Sequence, residues 1–142
     1  MITKEQWIEI ENDLTGMFAS VKFQYGEHEI SVSRERVGEG KYELMVYVDG
    51  SIKGAWHMPD KEGFLPVIKD VWRTRKKAIY SPQKKAKIIK DLGKRLTKEV
   101  YPELDKTIVY YSPDFTTAKS LVRQYKKLEG ITLIKPEDGF NG

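Results

Sequence analysis

The chain has no cysteine among its 142 residues, which excludes disulfides, thiolate metal sites and cysteine nucleophiles together. Histidine is nearly as scarce, with only two. His28 in "GEHEI" and His57 in "AWHMP" sit in or beside predicted strands without a ligand-spaced partner, whereas a zinc site needs three or four convergent donors. Both read as surface or boundary residues. No apolar run approaches the roughly 18 residues of a membrane span. The opening "MITKEQWIEIENDL" lacks the apolar centre of a secretory signal. A cytoplasmic protein with no membrane partner is expected.

Catalytic signatures are missing as well. No glycine-rich phosphate loop is present, since Gly38-Glu39-Gly40 reads as a hairpin turn. No Gly-x-Ser-x-Gly elbow marks a serine nucleophile. A two-metal nuclease needs convergent carboxylates near a lysine, but the sole acid-x-Lys triplet, Glu39-Gly40-Lys41, falls in a predicted turn. The reading is of a non-enzyme with no cofactor and no metal.

What the chain does have is unevenly placed charge. Its 25 Lys and Arg against 21 Asp and Glu give a net +4. Residues 69–98 hold twelve of the cations against only Asp70 and Asp91, a local +10 that leaves −6 for the rest. Such a field attracts phosphates or an acidic protein surface.

Periodicity predicts one α+β domain over residues 1–134, with a flexible tail at 135–142. Thr3 and Gln6 form a capping box opening a helix to about Phe18, with Trp7, Ile10, Leu14, Met17 and Phe18 as its apolar stripe. Alternating runs then predict a four-stranded antiparallel meander over 20–26, 28–37, 41–48 and 51–58. Asp49-Gly50 marks a two-residue hairpin turn, because both central positions need positive φ. That turn aligns Tyr47 with Ile52 and Glu43 with Trp56, which distributes apolar residues over both faces and favours partial cover on each; a longer turn with a bulge would instead restore a single apolar face. The helical half that follows is expected at 63–78, 82–99 and 113–129. Ser81-Pro82 and Ser112-Pro113 supply an N-cap hydroxyl and a first-turn proline to the last two. Two short strands, Thr107–Tyr111 and Ile131–Ile134, flank the last helix. The predicted packing of helices on the sheet runs through Trp7, Leu14, Phe18, Trp72, Ile89 and Leu121.

On a helix from residue 82, Lys84, Lys87, Asp91, Lys94 and Lys98 fall within one arc, opposite Ile88, Ile89, Leu92, Leu96 and Val100. This predicts a lysine stripe on the solvent face. Upstream, Arg73, Arg75, Lys76 and Lys77 in "RTRKK" close the preceding predicted helix. Lysines serve phosphates as point charges, and Arg73 and Arg75 can make forked contacts. Tyr47, Trp56, Trp72, Tyr80, Tyr110 and Tyr111 are candidates for base stacking. The expected partner is therefore DNA or RNA, bound without catalysis. The alternative is an acidic protein surface.

Two family comparisons arise. "SPQKKAK" invites comparison with the double-stranded-RNA-binding domain, but that family places its basic helix directly after the last strand with Lys-Lys-x-Ala-Lys spacing. Here the run is Lys84-Lys85-Ala86-Lys87 after an intervening predicted helix, which sets the comparison aside. Across most of the chain, the meander with its Val-Asp-Gly hairpin, "WRTRKK", "LGKR" and "YYSPDFTTAKSLVRQYKKL" resemble small accessory proteins of tailed phages and prophages. That resemblance implies a host-takeover or anti-defence protein that binds and inhibits a partner, and carries over no catalytic residue.

Overall fold

The computed structural model describes residues 1–135, so all but the first residue of the expected tail lies outside the described residues. Among the described residues the fold is α+β, with four helices and a five-stranded sheet whose strand pairs are antiparallel. The described residues group into two compact units: residues 1–73 with 111–135, and residues 74–110.

The first unit begins with α1 (Lys4–Thr15), opened by the expected capping box: the Thr3 side chain accepts from the Gln6 N–H and the Gln6 side chain from the Thr3 N–H. The helix stops at Thr15, short of the predicted end. Trp7, Ile10 and Leu14 are buried, but Met17 and Phe18 are exposed, so those two leave the predicted stripe. Strands β1 (Ser20–Tyr25), β2 (His28–Gly38) and β3 (Lys41–Val48) form the meander. Their register sets Val21 opposite Val32, Phe23 opposite Ile30 and Val32 opposite Val46. These residues are buried and share one face, because side chains alternate along a strand. Trp7 stacks on Phe23 at 6.0 Å between ring centroids, and Tyr125 meets Phe23 edge-on at 5.4 Å. The other face carries half-buried Ser31, Ser33, Met45 and Tyr47, with the Tyr47 hydroxyl donating to Glu35.

The β3 hairpin turn forms as read, with Asp49 at φ 51° and Gly50 at φ 79°. A fourth meander strand at 51–58 does not. After a single Val48–Ser51 bridge the chain enters a short 3-10 turn, Gly54–Trp56, that buries Trp56. The outer edge of β3 is occupied instead by a later two-residue strand. The Val46 N–H donates to the Pro113 carbonyl, and Leu44 and Met45 pair with Phe115 and Asp114. Ser112-Pro113 therefore leads into a strand, not a helix. The last helix is Ala118–Tyr125, capped by Thr117, whose side chain accepts from the Ser120 N–H. A final strand, Thr132–Ile134, pairs with β1.

The helix expected over 63–78 is also corrected. Only α2 (Ile68–Val71) is helical; Trp72 is extended, and residues 73–78 form a strand. Side chains of the last helix take the carbonyls that a longer helix needs. The Gln124 amide donates to the Asp70 and Trp72 carbonyls, both at 2.8 Å, and the Tyr125 hydroxyl to that of Val71 at 2.6 Å. Of the packing residues predicted from sequence, Trp7, Leu14, Trp72 and Leu121 are buried, whereas Phe18 is exposed and Ile89 half-buried.

Asp49 locks its own turn. Its carboxylate accepts from His28 Nδ1 at 2.7 Å and from the Glu29 N–H at 2.9 Å, and these contacts hold its pKa below the ordinary 3.8. A lowered carboxyl stabilises the fold above the unfolded-state value, and that contribution is lost as pH falls through the folded-state value. Asp49→Asn keeps a side chain that tolerates positive φ. It is expected to lower the urea midpoint modestly at pH 7 and progressively less below about pH 4. A deficit of equal size at pH 7 and pH 2 would show that the carboxylate charge is not its source.

Candidate functional site

The second unit holds the positive charge. Residues 74–110 contain eleven Lys or Arg and four Asp or Glu, a net +7, which leaves −3 on the remaining 105 residues. Two strands, β4 (Arg73–Ala78) and β5 (Thr107–Ser112), pair as a two-stranded sheet. The Ile79 N–H donates to the Lys106 carbonyl and the Arg75 guanidinium lies over the Tyr110 ring, 5.9 Å from its centroid. One number rises as its partner falls, so the ribbon is antiparallel. Alternation then puts Arg75, Lys77, Ile108 and Tyr110 on one face and Lys76 on the other. All of Thr74–Ala78 are exposed.

Between the strands runs α3 (Pro82–Val100), started as predicted by Ser81, whose hydroxyl accepts from the Lys84 N–H. The continuous lysine arc is not formed. Gly93 interrupts the helix at φ 79°, ψ 160°, a conformation outside the left-handed helical well and open in practice to glycine alone. A Cβ there would meet nothing within 4 Å, so the demand on glycine is torsional and not steric. The two helical pieces consequently present different faces. In the first, Lys84 and Lys87 are exposed while Ile88, Ile89 and Leu92 are half-buried, as the predicted wheel requires; Lys90 is exposed and Lys85 half-buried. In the second, Thr97 is buried and donates to the Gly93 carbonyl at 2.6 Å, while Leu96 and Val100, predicted opposite the lysines, are 44% and 54% exposed. Lys94 and Lys98 remain exposed, four residues apart on one face of that second piece.

Local contacts brace the unit. Lys85 pairs with Asp105 at 2.7 Å, Tyr80 and Tyr101 meet edge-on at 5.9 Å, and the Lys84 ammonium sits 5.6 Å from the Tyr80 ring. Among the described residues, no ion pair engages Arg75, Lys76, Lys77, Lys84, Lys87, Lys94 or Lys98. Arg73 differs from these seven. It belongs to the first unit, where its guanidinium pairs with Asp114 at 3.0 Å. Burial pushes the Asp114 carboxyl up, but polar contacts with Glu43 and Ser112 and the Arg73 charge outweigh it and hold the pKa low. Lys90, Arg95 and Lys106 join the cationic set although the arc omitted them. Plain charge counting signals them; helical phase does not.

The aromatic candidates separate in the same way. Trp56, Trp72 and Tyr111 are buried, Tyr47 is half-buried on Glu35, and Tyr80 and Tyr110 each lie against a cation. Both histidines have local partners: His28 on Asp49, and His57 Nδ1 at 2.8 Å from the Tyr111 carbonyl with its ring against Trp72. Among the described residues, no group of three or more His, Asp or Glu is placed to hold a metal, and no helix is long and apolar enough to cross a membrane. In the first unit, a groove of about 600 Å³ carries side chains of mixed sign, including Glu9, Asp13, Lys22 and Glu29. The chain matches no family model, no curated protein and no solved structure.

Proposed function

We propose that this protein binds nucleic acid without catalysis, through the cationic unit of residues 74–110. The observation that carries the reading is charge segregation. A net +7 is gathered in 37 residues of an otherwise mildly acidic chain, and most of those cations are exposed and without an acidic partner among the described residues. Unpaired surface cations concentrated on one unit repel one another, and a polyanion relieves that repulsion while releasing its own condensed counterions. The lysines of α3 act as point charges on phosphates, and Arg75 adds a fork.

Fluorescence anisotropy with labelled single- and double-stranded DNA and RNA, between about 50 and 200 mM salt, tests this directly. Micromolar or tighter binding that weakens steeply with salt is expected. Absence of binding at the lowest salt would overturn it.

One observation favours a second reading. Ile79, Leu96, Val100 and Ile108 all lie in the same unit, and all are exposed. Apolar groups among cations suit an acidic protein partner with its own apolar contacts, as for an inhibitory phage or prophage accessory protein. Capture of such a partner, together with failure to bind free DNA or RNA, is the outcome that would select it.

A further inference from the structure

From the β4–β5 ribbon we infer that the nucleic acid is duplex DNA and that the ribbon enters its major groove, with the Arg75–Lys77 face toward the base edges. The inference deepens the nucleic-acid reading and rests on it. A two-stranded ribbon is one of the two elements that the roughly 12 Å major groove of B-form DNA admits, its strands being about 4.8 Å apart. Among the described residues the ribbon pairs with no third strand, and β4 is exposed from Thr74 to Ala78. The sequence suits entry into a polyanion, because Arg75, Lys76 and Lys77 are consecutive and β5 contributes no acidic residue opposite them.

Arg75 has the geometry of a base reader. Its guanidinium rests over the Tyr110 ring, which limits its rotamers while leaving the forked N–H edge free of any ion pair among the described residues. A forked guanidinium matches the O6 and N7 acceptors of guanine in the major groove. Two alternatives fit less well. Single-stranded ligands need open aromatic faces for stacking, but Tyr110 is half-buried with Arg75 over its ring, and Tyr80 contacts both Lys84 and Tyr101. Duplex RNA has a deep, narrow major groove that side chains do not read.

The test compares the full-length protein on two mixed-sequence DNA duplexes of about 24 base pairs. One is unmodified; the other carries C5-propynyl pyrimidines, which fill the major groove and leave phosphates and minor groove unaltered. Filling the groove is expected to weaken binding by about tenfold or more, and duplex RNA of the same sequence should bind no better than the filled DNA. The Arg75→Ala, Lys77→Ala variant alters two exposed side chains and should bind both DNA duplexes equally and weakly. A Lys84→Gln, Lys87→Gln variant should weaken both while preserving their ratio. Equal affinity of the unaltered protein for the two duplexes would overturn groove entry and leave nucleic-acid binding standing. Failure to bind any DNA or RNA would overturn both.

Discussion

Replacing Lys84, Lys87, Lys94 and Lys98 together by glutamine is expected to weaken nucleic-acid binding by about 10²–10³-fold near 0.1 M salt, and to flatten the salt slope by up to about four. The fold should survive, because all four side chains are exposed and no described ion pair holds them. The break at Gly93 makes the prediction divisible. Lys84 and Lys87 belong to the first helical piece and Lys94 and Lys98 to the second, so each pair can be neutralised alone. A phosphate backbone that follows both pieces gives two partial losses, each flattening the slope by about two. One that follows a single piece puts the whole loss on one pair. Unchanged affinity in a folded quadruple variant would remove these lysines from the interface.

The second large effect is on stability. Trp72→Ala is expected to cost the first unit about 3–5 kcal/mol. The indole is fully buried, packs edge-on against Trp56 at 5.8 Å, and donates Nε1–H to the Val46 carbonyl at 3.1 Å. Truncation leaves a cavity and also strips a buried carbonyl of its side-chain donor, which adds a desolvation penalty. Native domains hold only about 5–15 kcal/mol in all, so the loss is a large fraction of the total. Urea denaturation followed by far-ultraviolet circular dichroism measures it. Trp72→Phe retains most of the volume and should lose less, chiefly the hydrogen bond. A cost below about 1 kcal/mol for the alanine variant would contradict the packing described.

Trp72 also shows where sequence reasoning reaches its limit. Its place among Ile68, Val71 and Trp72 fits a helical stripe, and burial of all three agrees with that. The helix nevertheless ends at Val71, because Gln124 and Tyr125, more than fifty residues away, capture the carbonyls of Asp70, Val71 and Trp72. No window around residue 72 contains that information. The same holds for residues 51–58, whose place beside β3 is taken by Asp114 and Phe115. Ser81-Pro82 and Ser112-Pro113 are alike as local grammar, yet only the first opens a helix. The Pro113 carbonyl is committed to the Val46 N–H across the sheet.

The candidate interface divides along similar lines. The concentration of cations was legible, because charge density is a property of the sequence itself. The shape of the interface was not. A run of Arg and Lys has no strong preference between helix and strand that outweighs a pairing partner, and the partner of β4 lies some thirty residues downstream in β5. Gly93 was visible as a residue but not as a break, since an isolated glycine costs a helix only about 1 kcal/mol and is often carried within one.

By itself, then, the sequence determined the features that depend on near neighbours: the Thr3 capping box, the Asp49-Gly50 turn, the alternation of β1 to β3, the Ser81 cap and the concentration of cations. Each arises from interactions spanning a few residues, or from composition alone. Tertiary structure decided what distant groups compete for: the end of α2, the strand beside β3, the change of face at Gly93, and the pairing that turns "RTRKK" from a helix end into one edge of a ribbon. Backbone donors and acceptors must find partners when buried. Which partner each one finds depends on what the rest of the chain brings within reach.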